Sequence, residues 1–140
     1  MNSLVNNLWQ CYQETEFFFT QALSPQLSFA IITAHNPKGV ILSSSQNRLL
    51  DKKLQNELEH LGLLYREIMG ASVDLCHMEK SWAIAVEREI GVEIGLKFNQ
   101  NAIYYVETDM LKLIPCLFQK KEICLGSFSK KMKLVSELPE

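Results

Sequence analysis

Apolar positions along this chain alternate between helical spacing and short solid runs. Leu4, Leu8, Cys11/Tyr12 and Thr15 recur every three or four residues, which predicts an amphipathic helix over residues 3–15. Glu16-Phe17-Phe18-Phe19-Thr20 reads as a short strand and Ser24-Pro25-Gln26 as a turn. The run Leu27-Ser28-Phe29-Ala30-Ile31-Ile32 predicts a buried strand over 27–34, followed by a polar loop over 35–44. Leu50, Leu54, Leu58 and Leu61 then mark one face of a helix over 45–61, with serines at 43–45 as N-cap candidates and Gly62 as its stop. A strand is expected over 63–70, a second polar loop over 71–79 and another strand over 81–86. A helix over 87–99 should bury Ile90, Ile94 and Phe98, and Asn99-Gln100-Asn101 should end it. Residues 102–107 form a strand, Thr108-Asp109 a turn and 111–116 the hairpin partner. No element is assigned to the last ten residues.

The central order of strand, helix, strand, strand, helix, strand is the pattern of an α+β, ferredoxin-like split βαββαβ core. The N-terminal helix and the C-terminal hairpin are additions to it. The rival is a three-layer α/β sandwich with parallel pairing. In the split arrangement the polar segments 35–45, 71–80 and 99–101 converge at one end of the sheet. The chain fits a single domain over 1–140, with a core of about 10–117 and a C-terminal extension over 118–140. The strand at 27–34 is apolar on both faces, so both should be covered. Two helices cover one. The N-terminal helix, the C-terminal segment or a second subunit covers the other; cover from within the chain is the leading expectation, and a homodimer stays open.

Polar residues cluster where the first long strand ends. Thr33-Ala34-His35-Asn36-Pro37 places hydrogen-bonding side chains at a strand mouth. Asn36-Pro37 suits an Asx-turn as well as a ligand contact, and Thr33 is also an ordinary strand-end residue. His35 and His77 lie on loops expected to meet, with Glu79 two residues beyond His77. Such a set suits proton transfer, with a carboxylate orienting an imidazole, or a purely positional role. It lacks the spacing of a known metal site, so no metal is expected. Asn47 and Arg48 lie in the first helical turn, where a cation opposes the helix dipole. Arg48 therefore reads as a partner of Glu79, an anion contact with the nearby serines, or a surface residue. Gln100, flanked by two asparagines, is free to present its amide to the same region. Trp82, Tyr104 and Tyr105 read as core.

Composition narrows the classes. The 140 residues are 47% hydrophobic, enough for a packed core, and the net charge of −2 gives no field favouring nucleic acid or acidic membranes. The five lysines between 120 and 133 have no interleaved aromatic beyond Phe128 and read as a solvated tail. Cys11, Cys76, Cys116 and Cys124 are scattered; with no basic, apolar start at residues 1–7, the expectation is a reducing cytoplasm. No apolar run approaches the roughly 20 residues of a membrane span. No phosphate-binding glycine loop or nucleophile elbow is present, and no cofactor is expected.

The motif T-A-H-N-P, then Gln46-Asn47-Arg48 opening a Leu-rich helix, then His77-x-Glu79-x-Ser81-Trp82 and Phe98-x-Gln100-Asn101-Ala102-Ile103, resembles a family of small bacterial domains of unknown function. The resemblance spans about 10–107 and implies no activity. The leading expectation is a cytoplasmic module that binds a small polar or anionic ligand, such as a nucleotide or metabolite. Its site would comprise Thr33, His35, Asn36, Asn47, Arg48, His77, Glu79 and Gln100. The alternatives are a hydrolase-type enzyme using His35 or His77 with Glu79, or a protein-interaction module.

Overall fold

The computed structural model describes residues 3–72 and 78–139. Along the chain run α1 (Ser3–Gln13), β1 (Glu16–Phe19), β2 (Phe29–Ile32), α2 (Ser44–His60), β3 (Tyr65–Ala71), β4 (Met78–Ile84), α3 (Arg88–Lys97), β5 (Ala102–Glu107), β6 (Met110–Pro115), β7 (Ile123–Ser127) and β8 (Met132–Leu134). Short 3-10 turns lie at Pro37–Gly39 and Phe128–Lys130. The fold is mixed α+β. Among the described residues no helix is long and apolar enough to cross a membrane.

All eight strands form one sheet in the order β7-β6-β5-β2-β4-β3-β1-β8. Every neighbouring pair is antiparallel except β1 with β8. The parallel pairing expected of a three-layer sandwich is therefore not found among the central strands. β4 starts at Met78, earlier than its apolar run, because Glu79 and Lys80 pair with Gly70 and Met69. The β5–β6 hairpin turns at Thr108 and Asp109, both left-handed (φ 49° and 63°), as a tight two-residue turn requires.

The tail without assigned elements forms both edges of this sheet. Flat, eight strands would separate β7 from β8 by roughly 34 Å at ~4.8 Å per strand. The intervening residues 128–131 can span at most about 18 Å, so the sheet must curl. Phe128, on that link, packs inside the curl against Phe17, Phe19 and Phe29 at 5.6, 5.6 and 5.5 Å between ring centroids. The tail lysines are also not simply solvated. Lys120 donates to Asn6, Lys131 to the Gln13 carbonyl, and Lys133 pairs with Glu16.

Strand alternation then sorts two cores. Ala30, Ile32, Trp82, Ile84 and Ile103 face α2 and α3, against Leu54, Leu58 and Ile94. Phe29, Ile31, Ala83 and Val106 face the inside of the curl, with Phe17, Phe19, Ile68, Leu111 and Phe128. Both faces of β2 are buried, as its composition requires. The inner face is covered by the chain's own curl and tail, which removes that face as a reason for a homodimer. α3 meets the sheet through the expected Ile94 and Phe98, and also through two glycines that the pattern did not mark. Ile90 is partly exposed, while Gly91 and Gly95 are buried against β2 and β5. A Cβ at Gly95 would lie 2.7 Å from Ile103 Cγ2 and 2.9 Å from Cys116 Sγ, so only glycine permits this approach.

Candidate functional site

At the end of the sheet where β2 and β3 finish and β4 and β5 begin, the inner face is not filled. A cavity of about 400 Å³ opens there. Its floor is Phe17, Ile31, Tyr104 and Leu113, and Leu8, Cys11, Tyr12 and Thr15 of the N-terminal segment wall one side. The helical stripe of α1 thus faces this space, and Trp9 is its buried anchor. The mouth is polar. Thr33, His35, Asn36, Asn47, Glu79 and Gln100 all line it.

Asn36 organises that mouth. Its backbone is left-handed (φ 49°, ψ 58°), a conformation asparagine tolerates better than most residues. Its Oδ1 accepts from the Leu42 N–H (2.9 Å) and from Asn47 Nδ2 (3.0 Å). Its Nδ2 donates to Glu79 Oε2 (2.8 Å), and its own N–H donates to Asn47 Oδ1 (2.9 Å). One side chain therefore ties the loop after β2, the first turn of α2 and the start of β4. Pro37 opens the following 3-10 turn. Lys38 N–H donates to the Asn99 carbonyl at 2.7 Å, joining the loop that ends α3. Gly39 has φ 77°, and a Cβ there would approach Leu8 Cδ1 to 2.8 Å, so the loop presses directly on α1.

The remaining expected residues divide clearly. Thr33 Oγ1 donates to the Lys80 carbonyl (2.7 Å) and accepts from the His35 N–H (3.0 Å), closing the strand end. Gln100, buried, donates to the His35 and Phe98 carbonyls, both at 3.3 Å. It is a tie between loops rather than a spare amide. Arg48 does not join the site. It is exposed, and among the described residues its guanidinium reaches Ser45 Oγ, at 3.4 Å. The helix start it was expected to share with an anion carries a cap from its own side chains. Ser43 Oγ accepts from the Gln46 N–H and Gln46 Oε1 accepts from the Ser43 N–H, a closed capping box. His77 lies outside the described residues, as does Cys76.

Sequence patterning missed three contributors. Asn101 is buried; its Nδ2 donates to the Tyr12 hydroxyl at 3.1 Å, and its carbonyl accepts from Cys116 and Phe118. Tyr104, read as core, lines the cavity and donates its hydroxyl to the Tyr12 carbonyl. Asp51 is 6% exposed and sits just outside, on the buried face of α2. It accepts from Trp82 Nε1 (2.9 Å) and pairs with Lys80 Nζ (2.8 Å). A signal for Asp51 did exist. It falls four residues after Asn47 and three before Leu54, on the buried stripe, where a carboxylate must find partners.

The electrostatics follow from burial. Burial pushes the Tyr104 phenol well above its usual value, and the Glu79 and Tyr12 charges add to this. Burial likewise raises Tyr12, with Glu79 adding and the Asn101 hydrogen bond opposing. Burial lowers His35 below the ordinary imidazole value; the Asp51 charge opposes this and Lys80 reinforces it. At neutral pH these phenols are protonated and His35 is neutral. Among the described lining residues there is one carboxylate, Glu79, and no lysine or arginine. Among the described residues no group of three or more His, Cys, Asp or Glu is gathered to hold a metal ion. The His35 imidazole hydrogen-bonds to no carboxylate among them; its described bonds run through its backbone.

Comparison with known proteins agrees with the resemblance drawn from the motifs. No curated protein and no solved structure matches the chain. Residues 32–103, 72 of the 140, match the family described as Protein of unknown function (DUF3293). That segment runs from the end of β2 through α2, β3, β4 and α3 into β5, and so holds the whole Asn36–Asn47–Glu79–Gln100 mouth. The chain belongs to that family.

Proposed function

We propose that this chain is a small-molecule binding module, with the cavity on the inner face of the sheet as its site. The carrying observation is the contrast between floor and mouth. An apolar, aromatic floor meets a rim of hydrogen-bonding groups held by one another, in a space of about 400 Å³. Pockets of roughly 300–1,000 Å³ with apolar walls and a few convergent polar groups are the usual form of a small-ligand site. A core that only needed stability would fill such a space. The lining supports a ligand with a polar head on an apolar body over the small polar or anionic ligand read from the sequence. A nucleotide or other anion has little support, because Arg48 points away and Glu79 is the charged group described at the rim.

An enzymatic reading on His35 and Glu79 has less support, since their described bonds run to backbone groups and to an amide. The order β5-β2-β4-β3, with each pair antiparallel, supports reading the central strands as a ferredoxin-like split core. The free thiols Cys11, Cys116 and Cys124 support a reducing, cytoplasmic setting.

The test is a thermal-shift screen against a metabolite panel, run on wild type and on Gly70→Val. A Cβ at Gly70 meets only ordinary contacts, 3.6 Å from Thr15 Cγ2, while a larger side chain there fills the cavity. A ligand at 100 times its Kd stabilises by about 2.7 kcal/mol. Compounds that raise the wild-type melting temperature should lose that effect in the variant. No stabilising compound, or stabilisation unchanged by Gly70→Val, refutes the reading.

A further inference from the structure

We infer that His35 and Gln100 hold the ligand's polar head, and that this head is uncharged and carries both a donor and an acceptor, as a carboxamide does. This rests on the cavity being the binding site and adds the chemistry of its occupant. The two residues stand side by side at the mouth. Gln100 Nε2 donates to the His35 carbonyl at 3.3 Å, and both residues line the cavity. Their polar neighbours are committed to the fold. Thr33 bridges the Lys80 carbonyl and the His35 N–H, while Asn36 and Asn47 hold each other and the surrounding backbone.

The Gln100 amide has a fixed orientation, because its Nε2 faces the His35 and Phe98 carbonyls, which can only accept. Both of its hydrogens are spent on that tie, and its Oε1 takes no hydrogen bond from the described residues. Among them, every fully buried side-chain nitrogen and oxygen has a partner, so this oxygen keeps open space beside it. Gln100 is only 6% exposed, and the space it borders is the cavity. The His35 imidazole also makes no hydrogen bond to the described residues; its bonds run through its backbone. Asp51 and Lys80, whose charges act on it, are paired with each other. A neutral imidazole offers one N–H donor and one acceptor nitrogen. A carboxamide complements this pair, its N–H facing Gln100 Oε1 and its carbonyl accepting from His35. A carboxylate has no donor for Gln100, and an ammonium has no acceptor for the imidazole N–H.

Three probes of one shape isolate the head: 4-phenylbutanamide, 5-phenylpentan-2-one and 4-phenylbutyrate, titrated into the ¹⁵N-labelled full chain by NMR. They differ only in carrying an amino group, a methyl group or an oxygen anion on the same carbonyl carbon. The amide should bind about 5-fold or more tighter than the ketone, the factor that one neutral hydrogen bond supplies, and tighter than the carboxylate. In His35→Phe, which keeps the backbone bonds, amide and ketone should both weaken by about 5-fold while the amide keeps its lead. The imidazole ¹⁵N resonances of the wild type should also move with either probe, which reads the His35 contact if the variant does not fold. Equal binding of amide and ketone, a carboxylate that binds tighter than the amide, or affinities unchanged by His35→Phe overturns the inference; when the shifts still fall on cavity amides, the cavity reading stands. If none of the three binds, or their shifts avoid the cavity, both fall.

Discussion

Replacing Asn36 with alanine should be the most damaging single change at the rim. The side chain accepts from Leu42 N–H and Asn47 Nδ2 and donates to Glu79 Oε2, all at 2.8–3.0 Å. Each neutral bond contributes about 1 kcal/mol, and the bond to the Glu79 carboxylate about 1.5 kcal/mol after allowing for its partial exposure. Asn47 is buried, so its orphaned amide adds a desolvation cost rather than regaining water. Alanine at φ 49° adds roughly 1 kcal/mol of backbone strain. Together these predict a loss of about 3–5 kcal/mol in urea unfolding with the slope unchanged. Asn36→Gly loses the same bonds but not the strain, so it should be milder by about 1 kcal/mol. A loss under about 1 kcal/mol for Asn36→Ala, or glycine no milder than alanine, would refute the claim that this side chain holds the mouth together.

Three further expectations test the frame around the site. Gly95→Ala drives a methyl into Ile103 and Cys116 at 2.7 and 2.9 Å, and should cost about 1–3 kcal/mol despite alanine's higher helix propensity; a neutral or stabilising result in chemical denaturation would mean α3 does not sit so close to the sheet. Asp51→Ala strands the Trp82 indole N–H and leaves Lys80 to the more exposed Glu67 and the Trp82 ring, for about 2–4 kcal/mol; a near-neutral change in melting would show that the Asp51–Lys80–Trp82 cluster is not formed. Because burial lowers the His35 pKa, the unfolded chain takes up a proton first as pH falls through about 6.5, so stability due to this group is present above that range and lost below it. His35→Gln should flatten the fall in melting temperature between pH 7 and 5, and an unchanged profile would contradict the shift.

Much of this architecture was legible in periodicity because it depends on local sterics and burial. The Leu54/Leu58 stripe and the doubly apolar run Phe29-Ala30-Ile31-Ile32 each announce a face that must be covered. Convergence of the loops at Asn36, Glu79 and Gln100 was expected only if the strands took the split arrangement, and the cavity lining brings the three together. The tail was illegible for a physical reason. β7 and β8 are short edge strands of five and three residues, and their pairing with β6 and β1 is a long-range choice that no local pattern encodes. α3 was read in part: Ile94 and Phe98 pack as expected, but Gly91 and Gly95 make the closest approach, while the bulkier Ile90 lies at the margin. Arg48 was drawn to the site by its conflict with the helix dipole, yet exposure to solvent resolves that conflict cheaply. Tyr104 lines the cavity and Asn101 stands behind it, both tied to Tyr12 of α1, through pairings 92 and 89 residues apart that no local pattern encodes.

The central claim is that the space beneath Asn36 and Glu79 is where this chain binds its ligand. An NMR titration of the ¹⁵N-labelled protein with the strongest stabiliser from the metabolite panel tests it most directly. Saturable shifts should gather at the amides of Thr33, Asn36, Gly70, Ala102 and Tyr104, which line the cavity from separate strands and loops. Shifts that gather instead on the outer surface around Leu61, Leu64 and Ile90, or that never saturate, would contradict it.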